Sequence, residues 1–314
     1  MKQYFWFFGI IGIILFSCEK NDDNSWDSLV TISSDFPMGN YLDLMFINEN
    51  TGFALSTKFV AKTTDGGCSW TTYEIPEFTN GGKIQFINEQ TGYVTIGTQN
   101  SGTLLKTTNG GEKWEIIDLD TYGSPNGICF LDKNTGFIVG SGLFIKTTDG
   151  GKSWTDLKKD DTWWYLGINF KNKTEGIVTS FNGEFFKTMD GGITWDKLKI
   201  DAFHLYDVYF VGNRALASAY HEDLFDLSNN KKVVSLPSSN LKFAFFDSDC
   251  GVATGTLITG SWSHTNDVFF TNDGWKTYTQ KTLSATEGNK PICAKMSDKK
   301  VMVLTDKSVM VLEK

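Results

Sequence analysis

The chain has 314 residues, of which 40% are hydrophobic and 14% aromatic, and its 37 acidic against 29 basic side chains leave a formal net charge of −8. Nucleic-acid binding needs a basic footprint, and a chain with this balance and a single arginine, Arg214, does not carry one. With only 5 prolines there is no proline-rich linker to divide it, and the length fits one large domain.

In chain order, residues 1–17 read as a secretory signal peptide. Lys2 supplies the charged start, and Phe5 to Phe16 is an apolar core too short for a comfortable membrane span. The segment ends Leu15-Phe16-Ser17-Cys18, which resembles a bacterial lipobox, although Phe16 is bulkier than that pattern usually has. The resemblance implies diacylation of Cys18 and a protein held on a membrane by buried hydrocarbon, at about 0.8 kcal/mol per CH₂. Residues 18–25 then form the lipidated Cys and a polar tether, Glu19-Lys20-Asn21-Asp22-Asp23-Asn24. This tether is similar to the acidic signal that carries some Gram-negative lipoproteins to the outer leaflet. The expected location is the outer membrane, with surface exposure as one option.

From residue 26 to residue 314 the sequence repeats itself. KTTDGGCSW at Lys62 returns as KTTNGGEKW at Lys106, KTTDGGKSW at Lys146 and KTMDGGITW at Lys187, and a worn copy, FTNDGWKTY, starts at Phe270. The acidic or amide position falls at Asp65, Asn109, Asp149, Asp190 and Asp273. The last interval is about two periods, which places a degenerate copy at Leu227-Ser228-Asn229-Asn230-Lys231. Ahead of each copy runs a strand ending in an aromatic residue, a polar turn, then Gly and a second strand. It reads MFINENTGFALS from Met45, QFINEQTGYVTI from Gln85, CFLDKNTGFIVG from Cys129 and NFKNKTEGIVTS from Asn169. Weaker forms start at Tyr209, Phe245 and Lys295. That makes seven units of about 40 residues with no helical periodicity, the signature of propeller blades. The fold class is therefore all-β, a seven-bladed β-propeller of four-stranded blades.

The seventh unit ends with a third strand and no fourth. Trp26-Asp27-Ser28-Leu29-Val30-Thr31-Ile32 matches the outer fourth strand Trp195–Ile200, so residues 26–32 are expected to join the C-terminal blade and close the ring. Closure removes unpaired sheet edges.

The repeated nonapeptide resembles the Asp-box, or bacterial neuraminidase repeat. An Asp or Asn side chain accepts hydrogen bonds from nearby backbone N–H groups, two glycines supply φ > 0, and the Trp (Trp70, Trp114, Trp154, Trp195) covers the hairpin. In Asp-box families this turn joins the third and fourth strands, opposite the ligand-binding face, so the resemblance implies staples rather than catalytic acids. No catalytic, metal or cofactor residue is assigned. Sialidases of this class clamp a carboxylate with three arginines, which lysine cannot mimic, so one arginine excludes that activity. Four further cysteines, Cys68, Cys129, Cys250 and Cys293, allow three pairings, and buried free thiols are expected.

Strand order puts the connections between blades, and the turns between second and third strands, on the face opposite the Asp-boxes. Those loops collect Trp163, Trp164 and Tyr165 before blade 4, His204 and Tyr206 before blade 5, His221 in blade 5, and Trp262 and His264 in blade 6. Aromatic rings with a few polar groups suit a glycan or a protein partner. The alternative is a carbohydrate-active hydrolase or lyase using the loop acids Asp160, Asp161, Glu222 and Asp223. In blade number and in its Phe-x-[Asn/Asp]-x-x-x-Gly-[Phe/Tyr] … Lys-Thr-Thr-[Asp/Asn]-Gly-Gly grammar, the chain is similar to the photosystem II assembly-factor propellers over residues 26–314. That family implies a non-enzymatic binding or assembly propeller, and a monomer is expected. Its photosynthetic members meet a membrane-protein client through an arginine-rich patch, which this chain lacks.

Overall fold

Seven four-stranded antiparallel sheets form in the computed structural model, which describes residues 30–33, 37, 39–76, 80–97, 101–119, 123–157, 164–220, 223–258, 264–284, 291–297 and 299–313. Blades 1 to 6 each run through four consecutive strands, at residues 41–74, 80–118, 125–156, 165–199, 205–235 and 239–283. Blade 7 has three strands from residue 292 to 313, and Val30–Ser33 pairs antiparallel with Val309–Glu313 to supply the fourth. The expected closure by the N-terminal strand is present. Residues 26–29 lie outside the described residues, as do the signal segment, Cys18 and the tether. The one helical element among the described residues is a 3₁₀ turn, Phe181–Gly183.

Burial follows the ring. The buried hydrophobic residues separate into seven clusters, each lying between two neighbouring blades. Tyr93, Leu104, Phe130 and Ile145, for example, join blades 2 and 3. Stability is thus distributed around a closed ring of equivalent interfaces.

The aromatic grammar is the chemistry of those interfaces. Phe53 of blade 1 stacks on Phe86 of blade 2 at 3.5 Å, and Tyr93 of blade 2 stacks on Phe130 of blade 3 at 3.5 Å. Phe137 of blade 3 meets Phe170 of blade 4 at 5.0 Å. The Asp-box Trp114, Trp154 and Trp195 stand edge-on to Phe86, Phe130 and Phe137, the arrangement that ring quadrupoles favour. The glycine of each Thr-Gly-Phe or equivalent is needed for this. A Cβ at Gly92 or Gly136 would sit 2.5 Å from the ring of Phe86 or Phe130.

The Asp-boxes are hydrogen-bonded staples, as their resemblance implied. In blade 3, Asp149 Oδ1 accepts from Ser153 N–H at 2.9 Å and Oδ2 from Ser153 Oγ at 2.6 Å, while Thr147 Oγ1 accepts from Gly151 N–H at 2.9 Å. The same set recurs at Asp65, Asp190 and Asp273. Asn109 keeps the Oδ1 half, accepting from Lys113 N–H at 3.0 Å. Each box is docked on the turn between its blade's first two strands: Gly66, Gly110, Gly150, Gly191 and Gly274 donate to Asn50, Gln90, Asn134, Thr174 and Asp249 at 2.8–3.0 Å. Both turn sets therefore share one face.

Two blades depart from the pattern. The degenerate copy in blade 5 joins its third and fourth strands as expected, but the buried Asp226 anchors it, bound by Arg214 Nε at 2.8 Å and accepting from Ser228 N–H at 3.0 Å. The chain's only arginine is thereby a structural residue. In blade 6 the tryptophan has moved to the second glycine position. Trp275 has φ 70°, a backbone cost of about 1–2 kcal/mol for a side-chain-bearing residue. It is nevertheless buried to 2% exposure, edge-on to Phe243 at 5.4 Å.

Candidate functional site

The face opposite the Asp-boxes carries a run of aromatic rings at the junction of blades 4 and 5. Trp164 pairs with Ser141 in the blade 3 turn and stands edge-on to Phe181 at 4.9 Å. Phe181 stacks on His204 at 3.7 Å. His204 then lies edge-on to Tyr206 at 6.0 Å and tilted against Tyr220 at 5.1 Å. The chain folds this way locally because His204 adopts φ 43°, a sharp corner in the connection between the blades. The corner is held by Tyr220 N–H, which reaches the carbonyls of Phe203 at 3.2 Å and His204 at 3.1 Å, and by Thr179 Oγ1, which donates to Tyr206 O at 2.7 Å.

Much of this surface faces solvent. Phe203 is 63% exposed, Trp164 51%, Tyr220 47% and Tyr206 40%. His204 Nδ1 lies 3.3 Å from the Tyr206 hydroxyl. Burial lowers the His204 imidazole below its usual range, so the ring is neutral at pH 7.

Of the residues expected here from sequence, Trp164, His204 and Tyr206 are brought together. Trp163, His221 and Trp262 lie outside the described residues, as do Asp160, Asp161 and Glu222. The His264 backbone opens the third strand of blade 6, opposite Ile258. Tyr165 is a correction. It is fully buried between Phe144 and Phe186, in the packing between blades 3 and 4. The alternation of the strand explains this, because Tyr165 opens its strand opposite Ser180, as buried Tyr41 opens its own opposite Ser56. Asp223 accepts from Ser235 Oγ and lies 3.5 Å from Lys232 Nζ, so its carboxylate is engaged with blade 5's own outer strand. Phe181, Phe203 and Tyr220 were not among the residues expected from sequence: Phe181 lies in a short Phe-Asn-Gly turn, and Phe203 and Tyr220 adjoin the His204 and His221 that were.

A second feature was not anticipated. The first strands of the blades surround a central cavity of about 270 Å³. Asp43, Lys83, Asp207 and Lys242 of blades 1, 2, 5 and 6 line it. Asp43, Lys83 and Lys242 each sit at the far end of an irregularity in their strand's pairing and Asp207 sits within one, a device that re-aims a side chain. Lys83 Nζ lies 2.9 Å from Asp207 Oδ1 and 4.0 Å from Asp43 Oδ1, and Lys242 Nζ is paired with Asp207 Oδ2. Burial by itself would raise the Asp207 carboxyl, but the ammonium groups of Lys242 and Lys83 outweigh it and hold the group well below the usual carboxylate range. Lys83 is the mirror case, with burial overcome by Asp207 and Asp43, and it stays charged. Burial pushes the Cys129 and Cys293 thiols on the cavity wall up to about 12, so neither is a thiolate at neutral pH. The signal was available in sequence: these positions lie three residues before the aromatic at or beside the end of each first strand, at Phe46, Phe86, Phe210 and Phe245.

All four described cysteines beyond the tether are free, with Cys68 exposed and the other three buried.

Comparison with known proteins comes down on the family. No curated protein matches the sequence. The structure is similar to YCF48 bound to a D1 peptide, at 18% identity over 88% of this chain and 93% of that one, with a TM-score of 0.65. It is similar to YCF48 from Cyanidioschyzon merolae, at 18% identity over 89% and 97%, with a TM-score of 0.62. The GH74 xyloglucanase from Xanthomonas campestris matches at 9% identity over 90% of this chain and 53% of that one, with a TM-score of 0.65. At such identities these likenesses speak to the fold alone. The sequence profile of the Photosynthesis system II assembly factor YCF48 family matches residues 18–162 and 112–201, more than half of the chain, and the chain belongs to that family.

Proposed function

We propose that this chain is a non-enzymatic binding propeller, exported and held at the outer membrane through Cys18, that takes a protein partner on its aromatic face. The observation that carries this reading is the run of rings from Trp164 through Phe181 and His204 to Tyr206 and Tyr220, exposed along one face and held on a rigid frame. Exposed aromatic residues supply large contact area at little entropic cost and dominate protein interfaces. Family membership supports an assembly or scaffold role, and a YCF48 relative has been solved with a bound peptide. The chemistry of the partner differs from an arginine-dependent one, since Arg214 is committed to Asp226. Aromatic faces also stack on sugars, which keeps a glycan as the competing ligand. The engaged Asp223 gives an enzymatic reading one fewer free acid.

The test compares the full-length protein with a Trp164→Ala/Tyr206→Ala/Tyr220→Ala variant. Cross-linking in native membranes is expected to join a defined protein to the wild type, with the yield falling at least tenfold in the folded variant. A panel of oligosaccharides in a thermal-shift assay is expected to be silent. A ligand at a hundred times its dissociation constant adds about 2.7 kcal/mol, enough for a shift of a few degrees. A saccharide that stabilises the wild type and not the variant would replace the protein-partner reading with a glycan one.

A further inference from the structure

Seven first strands surround the central cavity, but they do not fill it evenly. At the level where blades 1, 2, 5 and 6 present Asp43, Lys83, Asp207 and Lys242, blades 3 and 4 present Gly127 and Gly167. A Cβ at Gly167 would lie 2.2 Å from the Tyr206 carbonyl oxygen, and one at Gly127 would lie 2.9 Å from a Val139 methyl, so neither position accepts a side chain without rearrangement. Charge therefore gathers on part of the ring, and an open pocket remains beside it, walled by Ile128, Ile168 and Phe243.

The charges are also unevenly paired. Both ammonium groups crowd onto Asp207, Lys83 at 2.9 Å and Lys242 closer still. Asp43 receives a backbone hydrogen bond at Oδ2 from Ile84 N–H at 3.0 Å, but its Oδ1 is 4.0 Å from Lys83 Nζ, beyond hydrogen-bond reach. An ammonium carries three donors, so Lys83 and Lys242 each retain N–H groups after binding Asp207. Tyr209 accepts from Phe243 N–H at 3.3 Å, and burial, with the nearby Asp207 charge, keeps its hydroxyl protonated as a further donor. The cavity thus offers one under-used carboxylate oxygen beside several spare cationic donors, with apolar surface behind them.

We infer that the central cavity is a binding site for a small zwitterion of the α-amino acid class. Its ammonium group binds Asp43 Oδ1, and its carboxylate binds the spare N–H groups of Lys83 and Lys242. Opposite charges attached to a single carbon match an acceptor and a donor 4.0 Å apart. The net charge of the four lining groups is zero, so a neutral zwitterion enters without leaving an uncompensated charge in a half-buried site, whereas a simple anion or cation would. The site is separate from the aromatic face and stands whether or not that face binds a protein.

Isothermal titration of the full-length protein with each of the twenty α-amino acids, and with the N-acetyl and carboxamide forms of any that bind, tests this. The expected result is one-to-one binding of at least one amino acid, weakened at least tenfold by N-acetylation, by amidation and by Asp43→Asn. Asp43→Asn keeps the side-chain shape and the oxygen that accepts from Ile84. The two blocked ligands read the same contacts on the unaltered protein should that variant fold poorly. Absence of binding by every amino acid at 10 mM, or equal affinity for the free and blocked forms, overturns the proposal.

Discussion

Single residues set the acid sensitivity of this ring. The Asp-box carboxylates at Asp149 and Asp190 are held far below the usual range, first by the hydroxyl and backbone N–H of Ser153 and Thr194, and Asp273 is lowered to about 2, first by the hydroxyl and N–H of Thr277. A carboxyl depressed in the folded state stabilises it fully above the unfolded value, near 3.9, and that contribution drains as pH falls towards the folded one. These groups face solvent, so each contributes modestly and the effect is read as a sum. The melting temperature is expected to drop between about pH 4 and pH 2, and replacing Asp65, Asp149, Asp190 and Asp273 together by Asn should flatten that drop. Asn109 shows the amide serving in the same turn. Equal acid slopes in the two proteins would place acid sensitivity elsewhere. Lysine has a separate part: Lys106 Nζ donates to Gly150 O at 2.9 Å and Lys146 Nζ to Gly191 O at 3.0 Å, each tying one blade to the Asp-box of the next. Lys187, which faces the degenerate blade 5, lies instead 3.6 Å from Glu175 of its own blade.

At the scale of the element, the strand that closes the ring matters most. Val30–Ser33 covers the edge of the last blade, and every neighbouring interface depends on the ring being shut. Deleting residues 26–33 should therefore abolish cooperative unfolding in circular dichroism, with loss of the native β signal at 25 °C; a deletion variant with an unchanged melting temperature would contradict this. This strand was legible in sequence because residues 26–32 copy the fourth strand of blade 4. The Asp-boxes were legible for the same reason, since each is a closed local system of side chain, turn and glycine. Other features were hidden by long range or by register. Lys83 and Asp207 are 124 residues apart, and each looks like an ordinary polar residue of a half-buried strand. Tyr165 looks like its neighbours Trp163 and Trp164 until the pairing with Ser180 fixes which way it points. The aromatic site was half visible, because turn residues such as Phe181 and Tyr220 belong to it only through the positive φ of His204.

For the whole molecule, the two faces of the ring are built differently, and the proposed function gives binding to one of them. One face is committed to structure, with the Asp-box turns docked on the turns between first and second strands by hydrogen bonds of 2.8–3.0 Å. The other presents exposed rings, among them Trp164, Phe203, Tyr206 and Tyr220, on a backbone that Thr179 Oγ1 ties down at the Tyr206 carbonyl. Between them, ion pairs from blades 1, 2, 5 and 6 meet around the central cavity. Hydrogen–deuterium exchange on the full-length protein in native membranes, compared with the same protein purified away from them, tests this division directly. Added protection is expected in residues 200–206 and around Phe181 and Tyr220, with the Asp-box turns at residues 64–70, 108–114 and 148–154 unchanged. Protection confined to the Asp-box turns, with the aromatic segments unaltered, would contradict it and turn the binding face over.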